Sequence, residues 1–260
     1  MRILLTNDDG IDGPGLQALY EAVATLPDVE VTVIAPDRNW SISGHNKTMD
    51  RPLRVNVIKW YNGLDAFSTD GTPADCVSLA GLGLMPEKPD LVISGINTGP
   101  NLGDDVTYSG TVAAAMEAHI AGIPALAVSC DAYVDYNFDA AGKFARRLVT
   151  LFQRNLKGEE GGLALTSDLL LNINVPSLNF EEVAGIEVTR QGRRIYSDEL
   201  FRREDPRGRP YYWIGGERPA GHLTEGTDIA AVAQKKISIT PMMLDLTNYL
   251  LMEKLKGWQF

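Results

Sequence analysis

The stretch Met1-Arg-Ile-Leu-Leu-Thr-Asn-Asp-Asp-Gly10 joins an apolar run to a turn that carries two adjacent carboxylates. Ile3-Leu4-Leu5 reads as a first strand and Asn7 to Gly10 as the turn that ends it. Asp8 and Asp9 are then at the strand's carboxyl end, where open α/β sheets bind ligands. Like charges this close repel unless one is protonated or a cation lies between them. A hard divalent cation held by oxygen is the simplest remedy. The plainer reading is a polar turn leading into the next helix, since Asp and Gly are turn formers.

Outward from this turn, strand and helix patterns alternate through the first 180 residues, the mark of a layered α/β sheet with mostly parallel strands. Strands are expected near 2–6, 29–35, 90–95, 124–129 and 169–175, and helices near 14–26, 72–84, 109–121 and 138–156. Residues 53–60 alternate like a strand with one wet face, an antiparallel edge. Residues 186–220 change character: Arg190, Arg193, Arg194, Arg202, Arg203, Arg207 and Arg209 are interleaved with Tyr196, Tyr211, Tyr212 and Trp213, as in an extended hairpin arm. Arg and aromatic residues favour protein interfaces, and the interspersed acids argue against a nucleic-acid contact. A strand at 237–240 and an amphipathic helix near 242–255 close the chain. Residues 1–180 thus read as the catalytic α/β core. Residues 181–260 read as an oligomerisation arm, a returning strand and a terminal helix within the same domain.

Composition narrows the function. The chain has 260 residues, 44% hydrophobic and 22% charged, enough for a sizeable core. With Lys+Arg 24 against Asp+Glu 34 the net charge is −10, which opposes an extended nucleic-acid footprint. Cys76 and Cys130 lie in apolar stretches without CxxC spacing, so buried thiols in a reducing compartment are expected. No charged leader and no apolar run of about 20 residues is visible, so a cytoplasmic protein outside the membrane is expected.

Two further strand ends finish in oxygen-bearing side chains. Residues 31–35 lead into Ser41-Ile-Ser43-Gly44-His45, and residues 91–94 lead into Gly95-Ile-Asn97-Thr-Gly-Pro-Asn101. Parallel strands bring their carboxyl ends to one edge, so Asp8, Asp9, Ser41 or Ser43, and Asn97 converge. Carboxylate, hydroxyl and amide oxygens suit Mg²⁺, Mn²⁺ or Ca²⁺, whereas zinc favours His or Cys. The long glycine-rich stretch from Gly95 to Gly110 feeds Ser109-Gly110-Thr111 and an alanine-rich helix. Free N–H groups and two hydroxyls at that helix start would cradle a phosphate; the plainer reading is an ordinary Ser N-cap. His45 is a candidate phosphate donor, while His119 reads as a helix surface or packing residue and His222 is ambiguous. Thr72-Pro73-Ala74-Asp75 reads as a structural helix start. No dinucleotide fingerprint or P-loop occurs.

Taken in order, these blocks resemble the SurE family of metal-dependent 5′/3′-nucleotidases. The resemblance runs through Leu5-Thr-Asn-Asp-Asp-Gly10, Ala35-Pro-Asp-Arg-Asn39 with Ser41-Ile-Ser-Gly-His45, Gly71-Thr-Pro-Ala-Asp-Cys76, Ser94-Gly-Ile-Asn-Thr-Gly-Pro-Asn-Leu-Gly103 and Tyr108-Ser-Gly-Thr-Val112. It resumes at Leu171-Asn-Ile-Asn-Val-Pro176 and from Gly226-Thr-Asp228 to Pro241. It implies a three-layer Rossmann-like fold and hydrolysis of nucleoside 5′-monophosphates, with 3′-monophosphates as a second class. It implies Asp8, Asp9, Ser41 and Asn97 as ligands of one divalent cation per subunit, Mg²⁺ or Mn²⁺ first, which selects Ser41 over Ser43. Asp8 and Asp9 are then also the catalytic candidates. Asn101, Ser109, Gly110 and Thr111, with Ser43, Gly44 and His45, become the candidate phosphate and substrate contacts. Association as a homodimer or homotetramer through the arm and the carboxyl-terminal segment is implied as well. Trp40 and Lys235-Lys236 depart from the usual pattern without touching a candidate ligand. Two rivals stay open: a phosphatase in which Asp8 itself attacks phosphorus, and a nucleotide-binding module without turnover.

Overall fold

Alternate residues of the first strand bury into different helical layers, and this two-sided burial sets the architecture. Ile3 and Leu5 pack with Leu16, Leu19 and Val23 of one helix and with Phe144, Leu148 and Phe152 of another. Leu4 packs on the opposite face with Val77, Val112 and Ala115. A strand covered on both faces belongs to a parallel sheet flanked by helices.

The computed structural model describes residues 1–259. In chain order the first half holds β1 (Arg2–Thr6), α1 (Pro14–Val23), β2 (Glu30–Pro36), β3 (Val55–Lys59), β4 (Asp65–Thr69), α2 (Pro73–Leu79), β5 (Leu91–Thr98), α3 (Gly110–Ile120) and β6 (Ala125–Asp131). The second holds α4 (Asp139–Leu156), β7 (Leu170–Pro176), β8 (Gly185–Val188), β9 (Arg194–Ile195), β10 (Asp198–Glu204), β11 (Pro210–Gly216), β12 (Ala220–Gly221), α5 (Asp228–Ala233), β13 (Lys236–Pro241) and α6 (Tyr249–Leu255). Nine strands form one sheet in the order β3-β4-β2-β1-β5-β6-β7-β13-β8. The six from β4 to β7 run parallel. β3 pairs antiparallel at one edge, as its alternation indicates, and β13 returns antiparallel beside β7. α1 and α4 cover one face, α2 and α3 the other.

The chain passes from β1 to β2 on one side, while β5 lies on the other. The carboxyl end of β1 is therefore a topological switch point, where a crevice opens. Its neighbours are held close. A Cβ on Gly15, in the first turn of α1, would meet the Ile96 carbonyl oxygen at 1.8 Å, so only glycine lets α1 cross β5 there. α2 starts at the expected capping box: Thr72 accepts from the Asp75 N–H and Asp75 accepts from the Thr72 N–H.

Several elements differ from the sequence reading. β5 runs on to Thr98, so Asn97 lies within the strand, displaced by an irregularity in register between Gly95 and Asn97. β4 is a short strand between turn residues that periodicity does not reveal. α2 stops at Leu79 and passes into a wider π-type turn over 80–84, where Gly83 has φ 125°. The terminal helix spans Tyr249–Leu255, not 242–255. Asp245 accepts from the Thr247 N–H and Asn248 caps the helix at Leu251, which places its start later. The arm is a ladder of β10 and β11 on the short β9–β12 pair, with Trp213 and Ile214 exposed. Cys76 and Cys130 are buried and free. Among the described residues no helix is long and apolar enough to cross a membrane.

Candidate active site

Asp8 and Asp9 leave the end of β1 in different directions because strand alternation continues into the turn. Asp8 is buried against the start of α3, where the Thr111 hydroxyl donates to its Oδ1 at 2.6 Å. Asp9 turns to the end of β5: the Thr98 N–H donates to Oδ2 at 3.1 Å and the Thr98 hydroxyl lies 2.9 Å from either oxygen. Burial pushes the Asp8 carboxyl up to about 6, the Thr111 hydrogen bond opposes that, and repulsion from Asp9 adds to it. Removal from water, more than the neighbouring charge, is thus the main strain on Asp8.

The fit of α3 to this carboxylate is tight. A Cβ on Gly110 would lie 2.8 Å from Asp8 Cβ, 2.9 Å from Asp8 Oδ2 and 3.0 Å from Ser43 Oγ. Ser109 caps the helix by accepting from the Val112 N–H at 3.1 Å. Its own hydroxyl proton stays free to donate, and the Gly110 N–H, first in the helix, has no intrahelical acceptor.

These groups open on a cavity of about 320 Å³ lined by Asp8, Ser41, Asn97, Asn101 and Ser109 together with Tyr108, Tyr133 and Tyr196. Asn97 donates its amide to the Gly99 carbonyl at 2.8 Å, which leaves its amide oxygen as the acceptor. Asn101 is pinned through its backbone. Its N–H donates to Asn174 Oδ1 at 2.7 Å, and its carbonyl accepts from Asn172 and Asn174 at 2.8 and 3.0 Å. Asn172 and Asn174, two apart in β7 and fully buried, are a signal the sequence offered: buried amides need partners, and the glycine-rich loop supplies them. The loop's far end is held by Asp228, which accepts from the Gly103 and Gly192 N–H groups at 2.8 and 2.7 Å.

The remaining candidates divide. Ser41 lines the cavity, its N–H donating to Asn39 Oδ1 at 2.6 Å. Ser43 Oγ is buried beside Gly110 without a hydrogen-bond partner. The Gly44 N–H donates to the Tyr108 carbonyl at 2.9 Å, and Thr111 serves Asp8, so neither group is free for an anion in the way the sequence suggests. His45 is drawn away to Glu117, at 3.1 Å. Glu117 also accepts from Lys47 and Ser78, each at 2.7 Å. Burial works against its charge, but these donors outweigh it and hold the carboxyl below the usual range. The cluster fastens the loop carrying Ser41 and Ser43 to α3.

Two carboxylates, a hydroxyl and an amide oxygen are a hard donor set that fits a divalent cation, and no cation of the protein acts on Asp8. Among the described residues no group of three or more His, Cys, Asp or Glu forms such a site, so neutral oxygens must complete it. The sequence profile of the family described as Survival protein SurE matches residues 3–198. The chain belongs to the SurE family. A protein of Chloroflexus aggregans named 5′-nucleotidase SurE is 51% identical over 262 residues, covering 100% of both chains. One of the same name from Herpetosiphon aurantiacus is 52% identical over 250 residues, covering 95% of this chain and 94% of its own. The crystal structure of the SurE protein from Aquifex aeolicus aligns with a TM-score of 0.80 at 44% identity over 98% of each chain. The fold is thus shared over nearly the whole chain.

Proposed function

We propose that this chain is a metal-dependent 5′-nucleotidase that hydrolyses nucleoside 5′-monophosphates to nucleoside and phosphate, with 3′-monophosphates as a second substrate class. The observation that carries it is the meeting of Asp8, Ser41, Asn97 and Ser109, the cap of α3, at one cavity, in a chain whose full-length relatives are named 5′-nucleotidase. Asp8, Asp9, Ser41 and Asn97 would hold one divalent cation, Mg²⁺ or Mn²⁺. Bound there, it supplies Lewis acidity and lowers the pKa of water. The Ser109 hydroxyl and Gly110 N–H donate to phosphoryl oxygens, favoured by the positive end of the α3 dipole. Water attacks phosphorus in line and Asp8 or Asp9 accepts its proton, while the bond to the nucleoside oxygen breaks and that oxygen takes a proton from solvent water. Thr111 and Thr98 keep the two carboxylates oriented.

The test is phosphate release from AMP with Mg²⁺, with Mn²⁺ and with chelator. Divalent-dependent release that Asp8→Ala abolishes, with an unchanged circular dichroism spectrum, is the expected result. AMP binding without release would leave a binding module instead, and a phosphorylated aspartate trapped by rapid quench would make Asp8 the nucleophile. We further assign the exposed apolar residues of the arm and α6, among them Trp213, Ile214, Leu250 and Leu251, to association of copies as a homodimer or homotetramer in the cytoplasm. Replacing 198–216 with a short Gly-Ser turn should lower the mass in light scattering, and an unchanged mass would refute this.

A further inference from the structure

The cavity is larger than a phosphoryl group fills: its volume of about 320 Å³ falls in the range of pockets that enclose a small organic ligand. Beyond the polar groups already assigned, it is lined by aromatic rings, Tyr133 and Tyr196 among them. They come from unrelated segments. Tyr133 follows β6 at the carboxyl edge of the sheet, and Tyr196 lies between β9 and β10 at the base of the arm. Each keeps about two fifths of its surface exposed, so ring area remains available to a ligand.

The placement of these rings is set by buried charge. The Tyr196 hydroxyl donates to Asp105 Oδ1 at 2.8 Å, and Asp105 Oδ2 accepts from Arg194 Nε at 2.6 Å. The Arg194 side chain is only 6% exposed, and its backbone N–H donates to Asp104 at 2.9 Å. A tyrosine serving only an outer interface needs no such support, whereas a ring that must present a face to a flat ligand does. Tyr133 is held by the same Arg194, a hydrogen-bond partner of its side chain, and by the Arg218 guanidinium 4.6 Å over its ring centroid.

We propose that Tyr133 and Tyr196 form a slot that takes the base of the nucleotide by stacking, with Asp105 as the positioning residue for Tyr196. The slot extends the nucleotidase reading and rests on it for the identity of the ligand. Every base has a π-face, so stacking without a base-edge donor or acceptor accepts purines and pyrimidines alike and ranks them by stacking area. The arm thereby contributes a residue to the substrate site as well as a surface to the assembly.

The test separates the base from the phosphate. In the full-length protein loaded with Mn²⁺, Tyr196→Ala and Tyr133→Ala should each raise the KM for AMP and the Kd for adenosine roughly tenfold, the scale of one base–aromatic stack. Inhibition by inorganic phosphate should stay within about twofold, since phosphate alone does not reach the rings. Tyr196→Phe keeps the ring and loses its hydrogen bond to Asp105, so its Kd for adenosine should fall between those of wild type and Tyr196→Ala, and a Kd equal to wild type would overturn Asp105 as the positioning residue. If either alanine variant weakens adenosine and inorganic phosphate alike, or neither weakens adenosine, the slot is overturned. Should the wild-type protein release no phosphate from AMP, the nucleotidase reading falls. The adenosine titration still decides the slot: binding lost in the alanine variants upholds it, and binding absent or unchanged overturns it.

Discussion

Replacing Asp8 by Asn should make the cation-free protein more stable while destroying its activity. Asp8 is 4% exposed, and burial raises its carboxyl from an ordinary 3.8 to about 6. The group therefore gives its full contribution to stability below pH 3.8, where it is protonated in both states, and that contribution is lost as pH rises through about 6. At about 1.36 kcal/mol per pH unit between the two values, the loss at pH 8 is roughly 3 kcal/mol. Asn keeps the shape and still accepts from the Thr111 hydroxyl, but carries no charge to desolvate. In EDTA at pH 8 the variant should melt roughly 6 to 12 °C above wild type, and the two curves should converge near pH 4. Mn²⁺ at a thousand times Kd reverses the order, because the wild type then gains about 4.1 kcal/mol and the variant little. Urea and thermal unfolding across pH, with and without cation, measure all of this. A variant no more stable than wild type in EDTA at pH 8 would refute the claim that burial strains this carboxylate. An equal gain from Mn²⁺ in both proteins would refute its place among the ligands.

Three further substitutions probe the surrounding frame. Gly110→Ala puts a methyl group against Asp8 and Ser43, so turnover should fall about 100-fold with the fold retained; full turnover in a phosphate-release assay would show the contact is not needed. Asp228→Ala leaves the Gly103 and Gly192 N–H groups buried without an acceptor and should cost about 2 to 4 kcal/mol in urea unfolding, with an unchanged midpoint as the contrary result. Glu117→Gln removes the counter-charge of Lys47 and loosens the loop that carries Ser41, so trypsin should cut after Lys47 faster under native conditions. Equal cleavage rates would show the loop is held by other contacts.

The turn at Asp8-Asp9 was legible because three residues of apolar strand, two acids and a glycine are a local pattern, and the alternation of elements places it at the ligand-binding edge. Asn97 was legible by type, though not by position: the register irregularity after Gly95 keeps it inside β5, and periodicity cannot report that. The role of Thr111 was hidden for a similar reason. A hydroxyl at a helix start reads equally well as a phosphate donor or as a carboxylate partner, and the choice depends on how closely α3 approaches β1, which Gly110 decides. His45 looked like a phosphate donor because nothing local reveals Glu117, 72 residues on. Tyr133 carried no signal, and Tyr196 only that of an arm aromatic suited to an interface. Each is an ordinary loop aromatic until β6 and the base of the arm bring it to one cavity.

The adjacent acids also show why a repelling pair can be kept at a strand end. The period-two alternation of β1 sends Leu4 into the α2–α3 layer and Ile3 and Leu5 into the α1–α4 layer. Continued past the strand, it turns Asp8 toward α3 and Asp9 toward the end of β5, so the two side chains diverge from neighbouring backbone positions. Asp9 meets a donor on each side, the Thr98 N–H and the Asn39 amide, whereas Asp8 is enclosed by Gly110 and Ser43. The cost of burial therefore falls on one carboxylate rather than two. Had the turn kept both acids on one face, both would have been desolvated against α3, and the cation-free fold would have carried about twice that cost.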